Sequence, residues 1–346
     1  MSLSLEVKKF INSEHIGEYV EIVLPAPEYP ERGSRKKPVK EKKAEAPDAA
    51  ETTEGIDAEA AEDVLKAAAE ETVPVTEEPA AGEKVRMHYV EAGVGEPLIL
   101  VHTIAQSVYT WRSAFNRLSE YYRVIAVDLL GHGYSDRPDT FGYTIEEHAE
   151  SLRLFMDAIG VKSAHFMGFS MSCAYVAQLA VTAPERMGRI IFLAPGGISP
   201  EMPLPVRMID STVLGPIAAM LYGVHTVESV LSQCFFDLTC LTSEVATEYY
   251  RTISDPAGRR AVRHSLHYFD DTVINTRLRE VEQDILILQG GEDKWRSQTQ
   301  AEFYHAAFKN ACFAVVRNAG HLLHEEKPDK LLAATLEFIP VAMPGE

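Results

Sequence analysis

Four short runs of this chain are apolar with no alternation, and that limits the folds open to it. They are Leu98-Ile99-Leu100-Val101, the run Arg123 to Asp128, the run Arg189 to Ala194, and Ile285-Leu286-Ile287-Leu288. A strand with one wet face alternates apolar and polar residues. These do not, so both faces of each strand must be covered. Helical spacing separates them, over Trp111 to Tyr121, Thr144 to Ile159 and Met171 to Ala183. Strands alternating with amphipathic helices predict an α/β protein with a parallel sheet between two helical layers.

The alternation breaks once. Pro195-Gly196-Gly197 opens a helix-like stretch bearing Met and aromatic residues, which runs to about Val281. Strand and helix then resume: Ile285 to Leu288, a helix Gln298 to Phe308, a strand Phe313 to Val316, and a final helix Pro328 to Phe338. Residues 198–281 therefore read as a helical insertion in an α/β body, divided into residues 84–197 and 282–346.

The first 83 residues differ in character. Leu3, Val7, Phe10 and Ile11 share one helical face, and Glu18 to Leu24 alternates as a strand ended by Pro25, Pro27 and Pro30. Residues 1–30 thus read as a helix and a first strand. Residues 31–83 begin with basic side chains and turn acidic. From Ala44 to Glu83 there are thirteen acidic residues and one basic one, and aromatic residues are absent. Such a stretch cannot bury enough apolar surface to offset its ordering entropy, so it is expected to be largely disordered. Its expected role is a solvated insertion between the strand Tyr19 to Leu24 and its partner Val85 to Val90. Weak docking to a basic protein partner is the alternative. Loop-closure cost rises only logarithmically with length, so so long an insertion is tolerable.

Of the net charge of −18, the acidic tract carries −12 and residues 1–43 carry +2, leaving residues 84–346 at −8. No basic surface points to a nucleic-acid partner. The four cysteines, Cys173, Cys234, Cys240 and Cys312, form no C-x-x-C pair. The N-terminus shows no basic region followed by an apolar one, and no apolar run reaches the about 20 residues needed to span a bilayer. A cytoplasmic protein with no metal and no cofactor is expected.

The chemistry starts at Ser170. The run from Ser163 reads as a strand ending near Gly168 and Met171 onward as a helix, with Gly168-Phe169-Ser170-Met171-Ser172 at the junction. A Ser at a sharp strand-to-helix turn reads as a nucleophile elbow. Small residues two before and two after let the backbones pass, and Ser172 stands where the motif has a second Gly. A Ser hydroxyl needs a general base, and that base needs an orienting carboxylate. In parallel sheets such groups gather past the strand C-termini. Asp293 follows Ile285 to Leu288, and His321 follows Phe313 to Val316. Glu292 is the alternative acid.

On these residues the chain from about Val85 to its C-terminus resembles the α/β-hydrolase superfamily in its capped branch. Val101-His102-Thr103-Ile104 resembles the family's oxyanion segment. Val127-Asp128-Leu129-Leu130-Gly131-His132-Gly133-Tyr134-Ser135-Asp136 resembles its D-x-x-G-x-G-x-S-D loop, and Gly320-His321-Leu322-Leu323-His324-Glu325-Glu326 its G-H-x-x-x-x-E end. The resemblance implies an eight-stranded, mostly parallel sheet with a helical cap between the sixth and seventh strands. It implies a catalytic triad of Ser170, Asp293 and His321, and backbone oxyanion donors at Ile104 and Met171. Thr103 stands where the family has Gly, beside the oxyanion hole, and is read as a substrate-binding residue. Met220, Tyr222, Phe235, Phe236, Tyr268 and Phe269 are candidates for lining the pocket from the insertion. His102 is expected to hold the oxyanion loop, and Asp128 and Asp136 the sheet edge and the adjoining loop.

The activity this implies is cofactor-free hydrolysis of a small to medium carboxylic ester or lactone through an acyl-enzyme. Carbon–carbon bond hydrolysis and perhydrolysis on the same scaffold are alternatives, as is a non-catalytic ligand-binding relative. Ser170 argues against the epoxide hydrolase and haloalkane dehalogenase branches, which need a carboxylate there.

Overall fold

The computed structural model of the chain describes residues 17–25, 82–196 and 223–341. The helix expected near Leu3 to Ile11, nearly all of the acidic insertion, and residues 197–222 with Met220 and Tyr222 lie outside them. The chain divides into two units, Pro25–Glu83 and Met1–Leu24 with Lys84–Glu346, and the second contains the folded body.

Its centre is one eight-stranded sheet. The strands are β1 (Glu18–Leu24), β2 (Glu83–Ala92), β3 (Pro97–Val101), β4 (Arg123–Val127), β5 (Ala164–Phe169), β6 (Met187–Leu193), β7 (Ile285–Gly290) and β8 (Ala311–Val316). Their order is β1-β2-β4-β3-β5-β6-β7-β8. β2 runs antiparallel to β4, whereas the pairings from β4 through β3, β5, β6 and β7 to β8 are parallel. β1 and β2 are neighbours, with Glu21 bonded to Lys84 and Glu18 to Tyr89.

The apolar runs behave as their composition demands. Successive side chains of a strand point to opposite faces. Ile99 and Val101 therefore join one core, and Leu98 and Leu100 the other. Ile285 and Ile287 divide from Leu286 and Leu288 in the same way. At about 25 cal/mol per Å² of apolar surface removed from water, two such layers supply most of the driving force for folding.

Around the sheet lie α1 (Phe115–Ser119), α2 (Ile145–Ala158), α3 (Ser172–Thr182), α4 (Val224–Cys234), α5 (Ser243–Arg251), α6 (Pro256–His267), α7 (Thr272–Arg277), α8 (Gln298–Ala307), α9 (Leu323–Glu326) and α10 (Pro328–Phe338). α2 starts at a capping box, in which Thr144 and Glu147 each accept from the other's backbone N–H. One expected helix is broken. In place of Trp111 to Tyr121 there is a 3-10 turn, Val108–Trp111, and then α1. Asp128 Oδ1 accepts from Val108 N at 2.7 Å, and Trp111 is buried against the His324 ring. These two anchors turn the chain off a single helical axis. Among the described residues, no helix is long and apolar enough to cross a membrane.

Candidate active site

Parallel strands align their C-terminal ends along one edge, and four loops leave that edge side by side. Thr103 follows β3, Ser170 follows β5, Asp293 follows β7 and His321 follows β8. The last two loops touch. A Cβ on Gly290 would strike the Gly320 carbonyl, so a side chain there would force apart the loops that carry Asp293 and His321.

Ser170 has φ +55, in the left-handed region where a side chain is strained. Its N–H donates to Leu193 O at 2.9 Å, which ties the turn to β6. A Cβ on Gly168 would lie 3.3 Å from Cys173 Cα, so the helix crosses the strand closely there. Ser172 serves in place of a second Gly because its hydroxyl does local work. It accepts from Phe169 N at 2.9 Å and lies 2.8 Å from the Val101 carbonyl, to which it donates. The elbow is thereby pinned to β3.

His321 Nδ1 lies 2.8 Å from Asp293 Oδ2. A carboxylate only accepts, so Nδ1 carries the proton and Nε2 keeps its lone pair. Asp293 is held from three other directions. Its Oδ1 accepts from Trp295 N at 2.7 Å and Arg296 N at 2.9 Å, and its Oδ2 from Gln289 Nε2 at 2.9 Å. Burial alone would raise this carboxyl, but the charge and hydrogen bond of His321 and the two backbone donors hold it below its ordinary value. Glu292 faces elsewhere and accepts from Ala319 N at 3.0 Å. The imidazole sits between Trp295, stacked at 5.5 Å, and Phe169 at 4.9 Å.

Ser170 and His321 line the same cavity, which encloses about 930 Å³ including its opening to solvent. No hydrogen bond joins their side chains in this arrangement. Its walls are almost wholly apolar. The helices between β6 and β7 supply Val227, Val230, Leu231 and Cys234 from α4, and Tyr249, Ile253, Arg259, Val262 and Leu266 further along. Of the aromatic candidates of the insertion, the described ones, Phe235, Phe236, Tyr268 and Phe269, are not among them. Phe235 is packed in the core, Phe236 is exposed, and Tyr268 and Phe269 meet His264 and Tyr175 edge to face. The α4 residues share one face at spacings of three and four, a signal the sequence does carry. Trp295 and Gln106 also line the cavity and follow the Asp293 and Thr103 loops so closely that position alone could have flagged them.

Ile104 and Met171 both line the cavity beside Ser170. Met171 N donates to Thr103 Oγ1 at 3.2 Å. His102 holds the loop. Its Nε2 accepts from Leu129 N at 3.0 Å, so the ring proton is on Nδ1, which donates to Thr103 O at 2.6 Å. Burial lowers its pKa and keeps the ring neutral, as this bonding requires. Asp128 is fully buried and accepts from Val108 N, Tyr134 N and His88, and Asp136 clamps Arg86. Among the described residues, no group of three or more His, Cys, Asp or Glu side chains is placed to hold a metal ion.

The family model for the alpha/beta hydrolase fold matches residues 96–328. The chain belongs to the α/β-hydrolase fold family. Among curated relatives of this α/β-hydrolase is the 2-hydroxy-6-oxo-6-phenylhexa-2,4-dienoate hydrolase of Burkholderia cepacia, 26% identical over 264 residues, which are 73% of this chain and 91% of the relative. Haloalkane dehalogenase 2 of Mycobacterium tuberculosis is also 26% identical, over 73% of this chain and 91% of its own. The enol-lactonase of Burkholderia xenovorans superposes with a TM-score of 0.63 at 21% identity, covering 74% of this chain and 96% of that one, a likeness of fold.

Proposed function

We propose that the protein is a serine hydrolase acting on small to medium carboxylic esters or lactones through an acyl-enzyme on Ser170. The observation that carries this reading is the Asp293–His321 hydrogen bond, which leaves the His321 Nε2 lone pair available at the wall of the cavity that Ser170 lines. His321 takes the proton from Ser170 Oγ after a small side-chain rotation, since catalytic contacts commonly tighten only with substrate bound. The alkoxide attacks the acyl carbon. Asp293 keeps the imidazole in the productive tautomer and stabilises the imidazolium. His321 then protonates the leaving oxygen, and water, deprotonated by the same ring, releases the acid. In this reading residues 198–281 are a cap that keeps water from the acyl group, and residues 31–83 a solvated insertion in the sheet edge.

A fluorophosphonate probe tests this. It is expected to label wild-type protein once, at Ser170, and Ser170→Ala is expected to lose both the label and about 10⁶-fold in kcat on p-nitrophenyl esters. Unchanged turnover in a folded Ser170→Ala variant would end the reading.

Arg259 favours a second reading. It is the one Arg, Lys, Asp or Glu among the described residues lining the cavity, and its Nη1 is held by Ile253 O and Ser254 O. A substrate carboxylate, such as the dienoate in the relative's name, would find its partner there. Arg259→Gln is expected to raise KM for acid-bearing lactones or dienoates by about 10- to 100-fold, the worth of one charge-assisted hydrogen bond, and to leave neutral esters alone. Equal effects on both substrate classes would remove Arg259 from recognition.

A further inference from the structure

We propose that the Thr103 hydroxyl, rather than the Met171 N–H, is the group that meets the oxyanion. Met171 N, the backbone donor next to the nucleophile, is already engaged by Thr103 Oγ1 at 3.2 Å. It therefore does not offer its hydrogen to a ligand. The hydroxyl that accepts this bond still has its own O–H to give, and no acceptor among the described residues takes it. Thr103 is buried and lines the cavity together with Ser170 and His321. A hydroxyl that accepts from an amide is polarised by it and donates more strongly, so the amide acts through the hydroxyl.

The side chain cannot easily leave this position. Thr103 is β-branched and stiff about χ1. Its carbonyl accepts from His102 Nδ1, and His102 is anchored by Leu129 N. Two residues on, Ala105 has φ +57 and its carbonyl accepts from Thr252 Oγ1 at 3.0 Å. The loop is thus fixed from the sheet side and from the helical side, with Thr103 between. Such preorganisation is what an oxyanion donor requires.

This deepens the serine hydrolase reading and rests on it. In the acylation step the Ser170 Oγ–carbon bond forms and the Ser170 proton passes to His321. The carbonyl π pair moves onto oxygen, and Thr103 donates a hydrogen bond to that oxygen while keeping its proton. When the pair returns, the bond to the leaving oxygen breaks and that oxygen takes the proton from His321.

Steady-state kinetics on the full chain with one p-nitrophenyl ester decide the matter, using Thr103→Ser, Thr103→Ala and Thr103→Val. Loss of an oxyanion donor typically costs 10²- to 10³-fold, so Ala and Val are expected to lower kcat by about that much with KM shifted less than about threefold. Thr103→Ser, which keeps the hydroxyl, is expected to stay within about tenfold of wild type. A boronic acid that mimics the tetrahedral state should weaken in step with kcat/KM. Val leaves the Met171 N–H facing a methyl group and can unfold the loop. Melting curves identify that case, and Ala against Ser then decides. If Thr103→Ala is as fast as wild type or faster, or if Ser falls as far as Ala, the proposal is wrong. In that event Ser170-dependent turnover in wild type leaves the serine hydrolase reading standing, whereas its absence ends both.

Discussion

Asp293→Asn is expected to lower kcat by about 10⁴-fold with little change in KM, because it reverses the tautomer of His321. The argument lies in how each carboxylate oxygen is used. Oδ1 accepts from two backbone N–H groups, Trp295 and Arg296, so that position must remain an oxygen. In asparagine the amide nitrogen then takes the place of Oδ2, facing His321 Nδ1. An amide NH₂ only donates. Nδ1 must therefore accept, the ring proton moves to Nε2, and Nε2 can no longer take a proton from Ser170. The neighbouring Gln289 can adapt by a flip that presents its unpaired Oε1 to the new NH₂, at the cost of the bond its Nε2 donates to Arg296 O. The fold should survive, and Asp293 does not line the cavity, so substrate binding should be spared. Measured kcat within tenfold of wild type would remove Asp293 from the acid role and return it to Glu292, despite the bond Glu292 makes to Ala319 N.

The same residues show what a sequence can and cannot convey. Strand runs such as Ile285 to Leu288 declare their burial locally, because a period of two is absent where both faces are covered. The Ser170, Asp293 and His321 loops could be placed after β5, β7 and β8 for that reason. The helix Thr144 to Ile159 was equally legible from its local apolar spacing. The cavity wall was not. Val227, Val230, Leu231 and Cys234 mark one helical face, but only the crossing of α4 over the sheet edge decides that this face meets Ser170. Size and aromaticity pointed instead to Phe235 and Phe236, which the turn after α4 sends into the core and out to solvent. Thr103 was visible as a departure from the family's Gly. That it takes the Met171 N–H depends on two positions 68 apart in the chain being brought together by β3 lying beside β5.

Mild acid should unfold this protein more steeply than its carboxylates alone would require, and the cause lies in buried imidazoles. His132, His148 and His324 are enclosed in the core. Burial is the largest influence on each, pushing His132 down to about 3 and holding His148 and His324 well below the ordinary 6.5. Between 6.5 and those lowered values the unfolded chain binds protons that the folded chain refuses, so stability is lost as pH falls through that window. Each such imidazole adds a slope of about 1.4 kcal/mol per pH unit, so three add about 4. Against a typical net stability of roughly 5–15 kcal/mol, a fall from pH 6.5 to 5 is decisive. Asp128 and Asp293, both held below the usual carboxylate value, extend the loss at lower pH as they are forced to protonate. His148 isolates the effect. Its ring stacks on Tyr175 at 4.5 Å and meets Phe141 and Tyr143 edge to face, with the His132 imidazole 6.4 Å away and neither nitrogen paired. His148→Phe keeps that packing and removes both a proton site and an unpaired N–H, which costs about 1–3 kcal/mol when buried. Urea midpoints at pH 7.5, 6.0 and 5.0 should show the variant at least as stable as wild type at the first and increasingly more stable at the others. Parallel pH curves for the two proteins would mean that His148 takes up its proton in the folded state, and the buried cluster would then not be the source of acid lability.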